Sequence, residues 1–172
     1  MFYAGIGSRK TPSNVLNFFT TAARVLDRNG YILRSGGADG ADTAFEKGTE
    51  NKEIFLPWKK FNGNISELYN ISSEAYRIAE LYHPNWDNLK ESFKKFHARN
   101  VHQILGKNLD KPVDFVLCWT PDGAETMEET SKETGGTGQA IRIAWNYQIP
   151  IYNLRNEKSK KRFGNFVKEY LC

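Results

Sequence analysis

The sequence predicts an α/β protein: a Rossmann-like three-layer domain built on a parallel sheet of about five strands, with a helical insertion. Three observations lead there. Short, nearly continuous apolar runs alternate with amphipathic helical stretches. The apolar runs lack the polar alternation of a half-solvated sheet, so both sheet faces are expected to be covered. Glycine-rich loops follow those runs, where doubly wound sheets carry their ligand crevice.

Taken in order, Phe2 to Ile6 is an apolar run halted by Gly7 and Ser8, a first strand entering a turn. A helix follows, with Thr11 as cap and Pro12 at its first position. Val15, Leu16, Phe19, Ala22, Ala23 and Leu26 recur at helical spacing until Gly30 closes it. Tyr31 to Arg34 reads as the second strand, Ala41 to Lys47 as a short helix stopped by Gly48, and Glu53 to Leu56 as a third strand ended by Pro57. Ser66 to Leu105 is mostly helical, broken at His83 and Pro84. Val113 to Trp119 is the fourth strand, Ala140 to Tyr147 a helix, Pro150 to Asn153 the last strand, and Ser159 to Leu171 a closing helix.

With 172 residues, 40% of them hydrophobic, the chain can bury one sizeable core. Residues 1–172 therefore read as a single domain, the helical insertion lying at about 62–106. The start MFYAGIGSRK has no signal-peptide pattern, and no apolar run approaches the ~18 residues of a membrane span, so a cytoplasmic protein is expected. Cys118 and Cys172 have neither disulfide-framework nor metal-ligand spacing. The net charge of +4, from 24 basic and 20 acidic residues, admits an anionic partner but is far from one-sided.

The loops carry the chemistry. In LRSGGADGAD, Ser35, Gly36 and Gly37 let backbone amides approach a ligand ahead of a helix whose positive end favours phosphate. Gly135, Gly136, Thr137 and Gly138 repeat that arrangement before AIRIAW. Neither loop has the GxxxxGK pattern of a P-loop, and GIGSRK lacks the third glycine of a dinucleotide fingerprint. Gly7, Ser8 and Arg9 bring a hydroxyl and a cation to the end of the first strand, with Lys10 beside them. Asp39 and Asp42 suit ribose hydroxyls or helix capping. Arg99, His102 and Gln103 share one helix face. Trp119, ending the fourth strand, is placed to stack on a base or cover a pocket. The spacing of His97 and His102 does not match HExxH, and no metal or cofactor is predicted beyond a nucleotide-type ligand.

Together GIGSRKTP, LRSGGADGADTAFEKG, KEIFLPW, FHARNVHQILG, DFVLCWTPDG and TGGTGQAIRIA resemble the SLOG superfamily, which includes the DNA-processing DprA (Smf) proteins and the LOG phosphoribohydrolases. Their order is most similar to compact DprA-like proteins of bacteriophages and covers residues 2 to about 154. The resemblance implies a Rossmann-like fold, nucleotide or nucleic-acid phosphates in the glycine-lined crevice, and a homodimer. It also implies a departure. LOG enzymes carry PGGxGT and then a glutamate, whereas this chain has Thr134, Gln139 and, in the glutamate's place, Arg142. A cation there cannot stabilise a ribosyl oxocarbenium as a carboxylate does.

The leading expectation is binding of a nucleotide or nucleotide-derived ligand, sensed or sequestered, with Arg9 and Arg99 as countercharges. Two alternatives stand beside it: DprA-like binding of single-stranded DNA, and LOG-like hydrolysis of nucleoside monophosphates.

Overall fold

The computed structural model describes residues 1–171, so Cys172 lies outside the described residues. Five strands form one sheet: β1 (Phe2–Gly7), β2 (Ile32–Ser35), β3 (Lys52–Ile54), β4 (Phe115–Trp119) and β5 (Ile151–Asn153). Every pairing is parallel, in the order β3-β2-β1-β4-β5. The chain moves from β1 outward to β2 and β3, then crosses back to place β4 on the other side of β1. The strand order therefore reverses between β1 and β4, where Gly7 lies opposite Trp119, and a crevice opens beyond such a point.

Side chains alternate across this sheet with the strand period of two. Tyr3, Phe115, Leu117 and Trp119 face α1 (Ser13–Arg28), α2 (Ala41–Glu46) and α6 (Glu157–Tyr170). Ala4, Ile6, Val116 and Cys118 face α3 (Ser73–Tyr82), α4 (Glu91–Leu105) and α5 (Thr137–Asn146). The first layer is aromatic: Phe19 stacks on Phe45 with ring centroids 4.2 Å apart, and both are fully buried. Burying each such ring contributes on the order of 1.5–3 kcal/mol.

Local chemistry explains the boundaries and corrects some expected ones. α1 ends as predicted near Gly30, whose φ of +78° permits paired bonds from Gly30 N to Asp27 O and from Tyr31 N to Leu26 O, a Schellman closure. Its start differs. Pro12 is the N-cap and α1 begins at Ser13, while the Thr11 hydroxyl donates to Ser8 O at 2.6 Å. Thr11 thus braces the turn after β1 instead of capping the helix.

The stretch expected to be helical from Ser66 starts its helix only at Ser73, capped by the Ser72 hydroxyl, which accepts from Ala75 N at 3.2 Å. Residues 64–72 instead run along the sheet edge. Leu56 N donates to Leu68 O at 2.8 Å and the Ser66 hydroxyl to Ile54 O at 2.6 Å, covering the edge of β3. Nor is the helical segment merely appended. α4 lies against β1 and β2 and packs with α3 and α5, so it forms much of one covering layer. At the other edge, Glu125 accepts from Asn153 N and Arg162 donates to Ile151 O, which occupies polar groups of β5.

Candidate functional site

The predicted site residues divide into a buried group that builds the rim and an exposed group that lines it. In the buried group, the Ser35 hydroxyl donates to Gly5 O at 2.6 Å and ties the end of β2 to β1. Gly36 is obligatory, because a Cβ there would overlap the Arg99 guanidinium and the Gln103 amide. Gly37 has φ +66°, and its Cβ would fall 2.9 Å from Leu56. Arg99, reaching from α4, donates from Nη1 to Gly36 O and, at 2.9 Å, to Phe55 O, so one guanidinium clamps the loops after β2 and β3.

Asp42 completes that clamp. Its carboxylate accepts from Ala38 N at 3.3 Å, and its charge is opposed by that of Arg99. Burial pushes the Asp42 carboxyl up to about 6, against the opposing pull of Arg99 and the amides. Burial likewise lowers Arg99 to about 10, with Asp42 opposing the shift. The inside of the glycine loop is thus filled by the chain's own charges, with the Ala38 amide already taken.

Trp119 is only 8% exposed and packs in the aromatic layer. It is not an open stacking surface, which corrects that expectation. What it gives the rim is its carbonyl, which accepts from Ser8 N at 3.0 Å. His102 and Gln103 are also buried: the His102 ring stacks on Phe55 and pairs with Gly106 O at 3.0 Å.

The exposed group begins with Ser8, Arg9 and Lys10. Ser8 is half-buried and its hydroxyl accepts from Lys10 N at 3.0 Å, while the Arg9 and Lys10 side chains face solvent. Gly40, with φ +89°, lets the glycine loop touch this turn, since a Cβ there would lie 2.9 Å from Arg9 Cα. Asp39 is exposed and accepts from Asn62 Nδ2 at 2.9 Å. Gly135 and Gly136 are exposed at the start of α5, Thr137 is half-buried and Gly138 is buried against Arg142 and Thr134. No side chain caps this helix, and Asn100 of α4 holds the entry by donating to Gly136 O at 2.9 Å. The α5 amides therefore face an accessible surface with their dipole's positive end.

Arg142 is a structural brace. It donates to Tyr82 O at 2.7 Å, Gln139 Oε1 at 2.9 Å and Thr130 Oγ1 at 3.2 Å, joining α5 to α3 and to the preceding loop. Beside it His83 and His97 lie 4.3 Å apart, and burial drives His97 down to about 4. Among the described residues, no three His, Cys, Asp or Glu side chains gather to hold a metal. The acidic stretch from Asp122 to Glu133 folds onto its own surroundings: Asp122 accepts from the Ser131 and Thr134 hydroxyls, and Glu125 pairs with Arg162 at 2.8 Å. Sequence pattern does not bring Asn100 or Asn62 to the site, nor does it join Trp58, Phe61 and Phe96, whose rings meet edge to face.

These features define a doubly wound parallel α/β protein whose candidate site is an open rim at the strand carboxyl ends, bearing cations and an uncapped helix start. No protein-family model and no curated protein matches the sequence. Among solved structures, DNA processing protein A from Helicobacter pylori is similar, with a TM-score of 0.58 and 18% identity over 99% of this chain and 81% of that one. That structure concerns the protein's single-stranded DNA binding mode; at this identity the likeness is one of fold, a DprA-like Rossmann architecture. Among the described residues no helix is long and apolar enough to cross a membrane.

Proposed function

We propose that this chain binds single-stranded DNA along the carboxyl-end rim of its sheet, with Arg9, Lys10 and the α5 amides of Gly136 and Thr137 meeting phosphates. One observation carries this reading. Asp42 and Arg99 fill the inside of the glycine loop, Asp42 taking the Ala38 amide, while Arg9, Lys10, Gly135 and Gly136 are exposed on the rim. An open surface suits a strand passing across it, whereas a small ligand needs groups that converge around it. The fold shared with a protein whose structure shows single-stranded DNA binding adds support. SLOG kinship, a phage-encoded origin, a cytoplasmic setting and a dimeric working form belong to the same proposal.

The test compares Arg9→Ala and Lys10→Ala with the unaltered chain for binding of a labelled oligothymidylate. Each variant is expected to weaken binding and to shallow its salt dependence by about 0.7 per lost phosphate contact. Binding that ignores both substitutions contradicts the proposal.

A second reading, capture of a free nucleotide, is favoured by the α5 entry, where Gly135 has φ +64° and nothing crowds Gly136. It requires a mononucleotide to raise the melting temperature as much as an oligonucleotide of equal phosphate concentration does. Length-dependent stabilisation decides for the strand.

A further inference from the structure

The sequence contains two segments of one pattern, an aromatic residue followed by Lys-Lys-Phe: Trp58-Lys59-Lys60-Phe61 and Phe93-Lys94-Lys95-Phe96. They are far apart in the chain, one after β3 and one in the first half of α4. The fold brings them together. The Trp58 and Phe96 centroids are 5.1 Å apart at 75°, Trp58 and Phe61 5.3 Å at 88°, and Phe61 and Phe96 5.3 Å at 80°. Each contact is edge to face and so covers one face of one ring only, and the Arg99 guanidinium lies over Phe96, which leaves Trp58 as the most exposed ring of the trio.

Burial accounts for Phe61, which packs against the core, but not for the whole cluster. Trp58 is 40% exposed and Phe93, one helical turn before Phe96, is 53% exposed. Lys59, Lys60 and Lys95 are exposed around them, Lys59 with its ammonium 5.9 Å from the Tyr69 ring, while Lys94 is half-buried and turned aside to Glu91 and Trp86. Neither segment contains an acidic residue. The ridge is also fixed in place at a conformational cost, since Lys60 and Asn62 adopt φ of +59° and +52°, a region non-glycine residues seldom occupy. Asn62 joins the ridge to the glycine loop by donating to Gly37 O at 3.2 Å and to Asp39.

We infer that the paired segments form a base-stacking platform for single-stranded nucleic acid, with Trp58 as the principal stacking ring and Lys59, Lys60 and Lys95 holding the adjoining phosphates. Cations interleaved with exposed rings are what a sequence-tolerant strand site requires, because every base has a π face and every nucleotide a charge. This rests on the proposed strand binding at the rim and extends it. Phosphates at Arg9 and α5 set where the strand lies; the ridge takes its bases. It predicts that affinity depends on the bases themselves and not on charge alone.

The experiment measures binding of an oligothymidylate and of an equally long abasic oligonucleotide to the full chain, to Trp58→Ala and to Trp58→Phe. The unaltered protein is expected to favour the base-bearing strand about tenfold, Trp58→Ala to lose that preference, and Trp58→Phe to retain most of it. Photocrosslinking of an iodouracil-bearing strand to the unaltered protein supplies a readout that needs no variant, with adducts expected on Trp58 or Phe93. Equal discrimination by Trp58→Ala together with no adduct in either segment overturns the platform while leaving rim binding intact. Failure of the unaltered chain to bind either strand at low salt overturns the rim reading beneath it.

Discussion

Arg99 and Asp42 lie buried on the glycine loop with opposed charges, the guanidinium holding the carbonyls of Gly36 and Phe55 and the carboxylate accepting from the Ala38 amide. The loop expected to cradle a ligand's phosphate is shaped from within by the protein's own charges. Removing Arg99 leaves the Gly36 and Phe55 carbonyls without their donor. Arg99→Ala is therefore expected to destabilise the fold by about 1–3 kcal/mol for each carbonyl left buried and unsatisfied, read as a lower denaturation midpoint. A stability equal to that of the unaltered chain would place Arg99 outside the scaffold.

The glycines separate scaffold from surface. Gly36→Ala drives a methyl into Arg99 and Gln103 and is expected to cost about 1–3 kcal/mol by overpacking. Gly136 has φ −61° and ψ −26°, and nothing lies within 4 Å of its added Cβ. Gly136→Ala is expected to leave stability unchanged or raise it by up to about 1 kcal/mol. Thermal melts of the two variants check the contrast, and similar losses in both would contradict it.

Acid stability carries two opposed contributions. Burial lowers His97 to about 4, so between there and the ordinary histidine value near 6.5 the unfolded chain binds more protons, and this stability is lost as pH falls through that range. Burial raises Asp42 to about 6, so from its ordinary 3.8 up to about 6 the folded chain binds the extra proton, and stability falls as pH rises. His97→Gln is therefore expected to shallow the loss between pH 6.5 and 4, and Asp42→Asn to steepen it. Urea midpoints at several pH values measure both slopes; a change of the reverse sign in either variant refutes its assignment.

Arg142 braces α5 where the sequence resemblance would set a LOG glutamate. Arg142→Glu introduces that carboxylate but removes the donors that hold Tyr82 O, Gln139 and Thr130. At about 1 kcal/mol or more for each bond, a marked loss of melting temperature is expected, without release of base from nucleoside monophosphates. A stable, hydrolytic variant would show that the position belongs to a catalytic site.

Much of the scaffold was legible before any coordinates. β1, β4 and the close of α1 follow from apolar runs and a glycine that alone suits a left-handed residue, all local signals. β3 is shorter than its apolar run, because Phe55 and Leu56 leave the ladder to meet Leu68. The polar face of α4 was legible as a face turned toward the loops, but not as one consumed by them: whether Arg99 meets a ligand or two carbonyls depends on partners distant in sequence. The same holds for Asp42, whose spacing fits a cap, a ribose contact or an internal clamp equally well. The repeated aromatic-Lys-Lys-Phe pattern is visible in the sequence, yet only tertiary contact gives it meaning.

The central claim, that the rim binds a single strand through its phosphates, is tested most directly by titrating a labelled oligothymidylate of about 20 nucleotides across a salt series. Tight binding near 50 mM salt is predicted, weakening linearly in log–log form with a slope of about −0.7 for each phosphate contacted. A free mononucleotide is predicted to compete poorly. No binding at low salt, or binding insensitive to salt and displaced by a mononucleotide, would contradict the account.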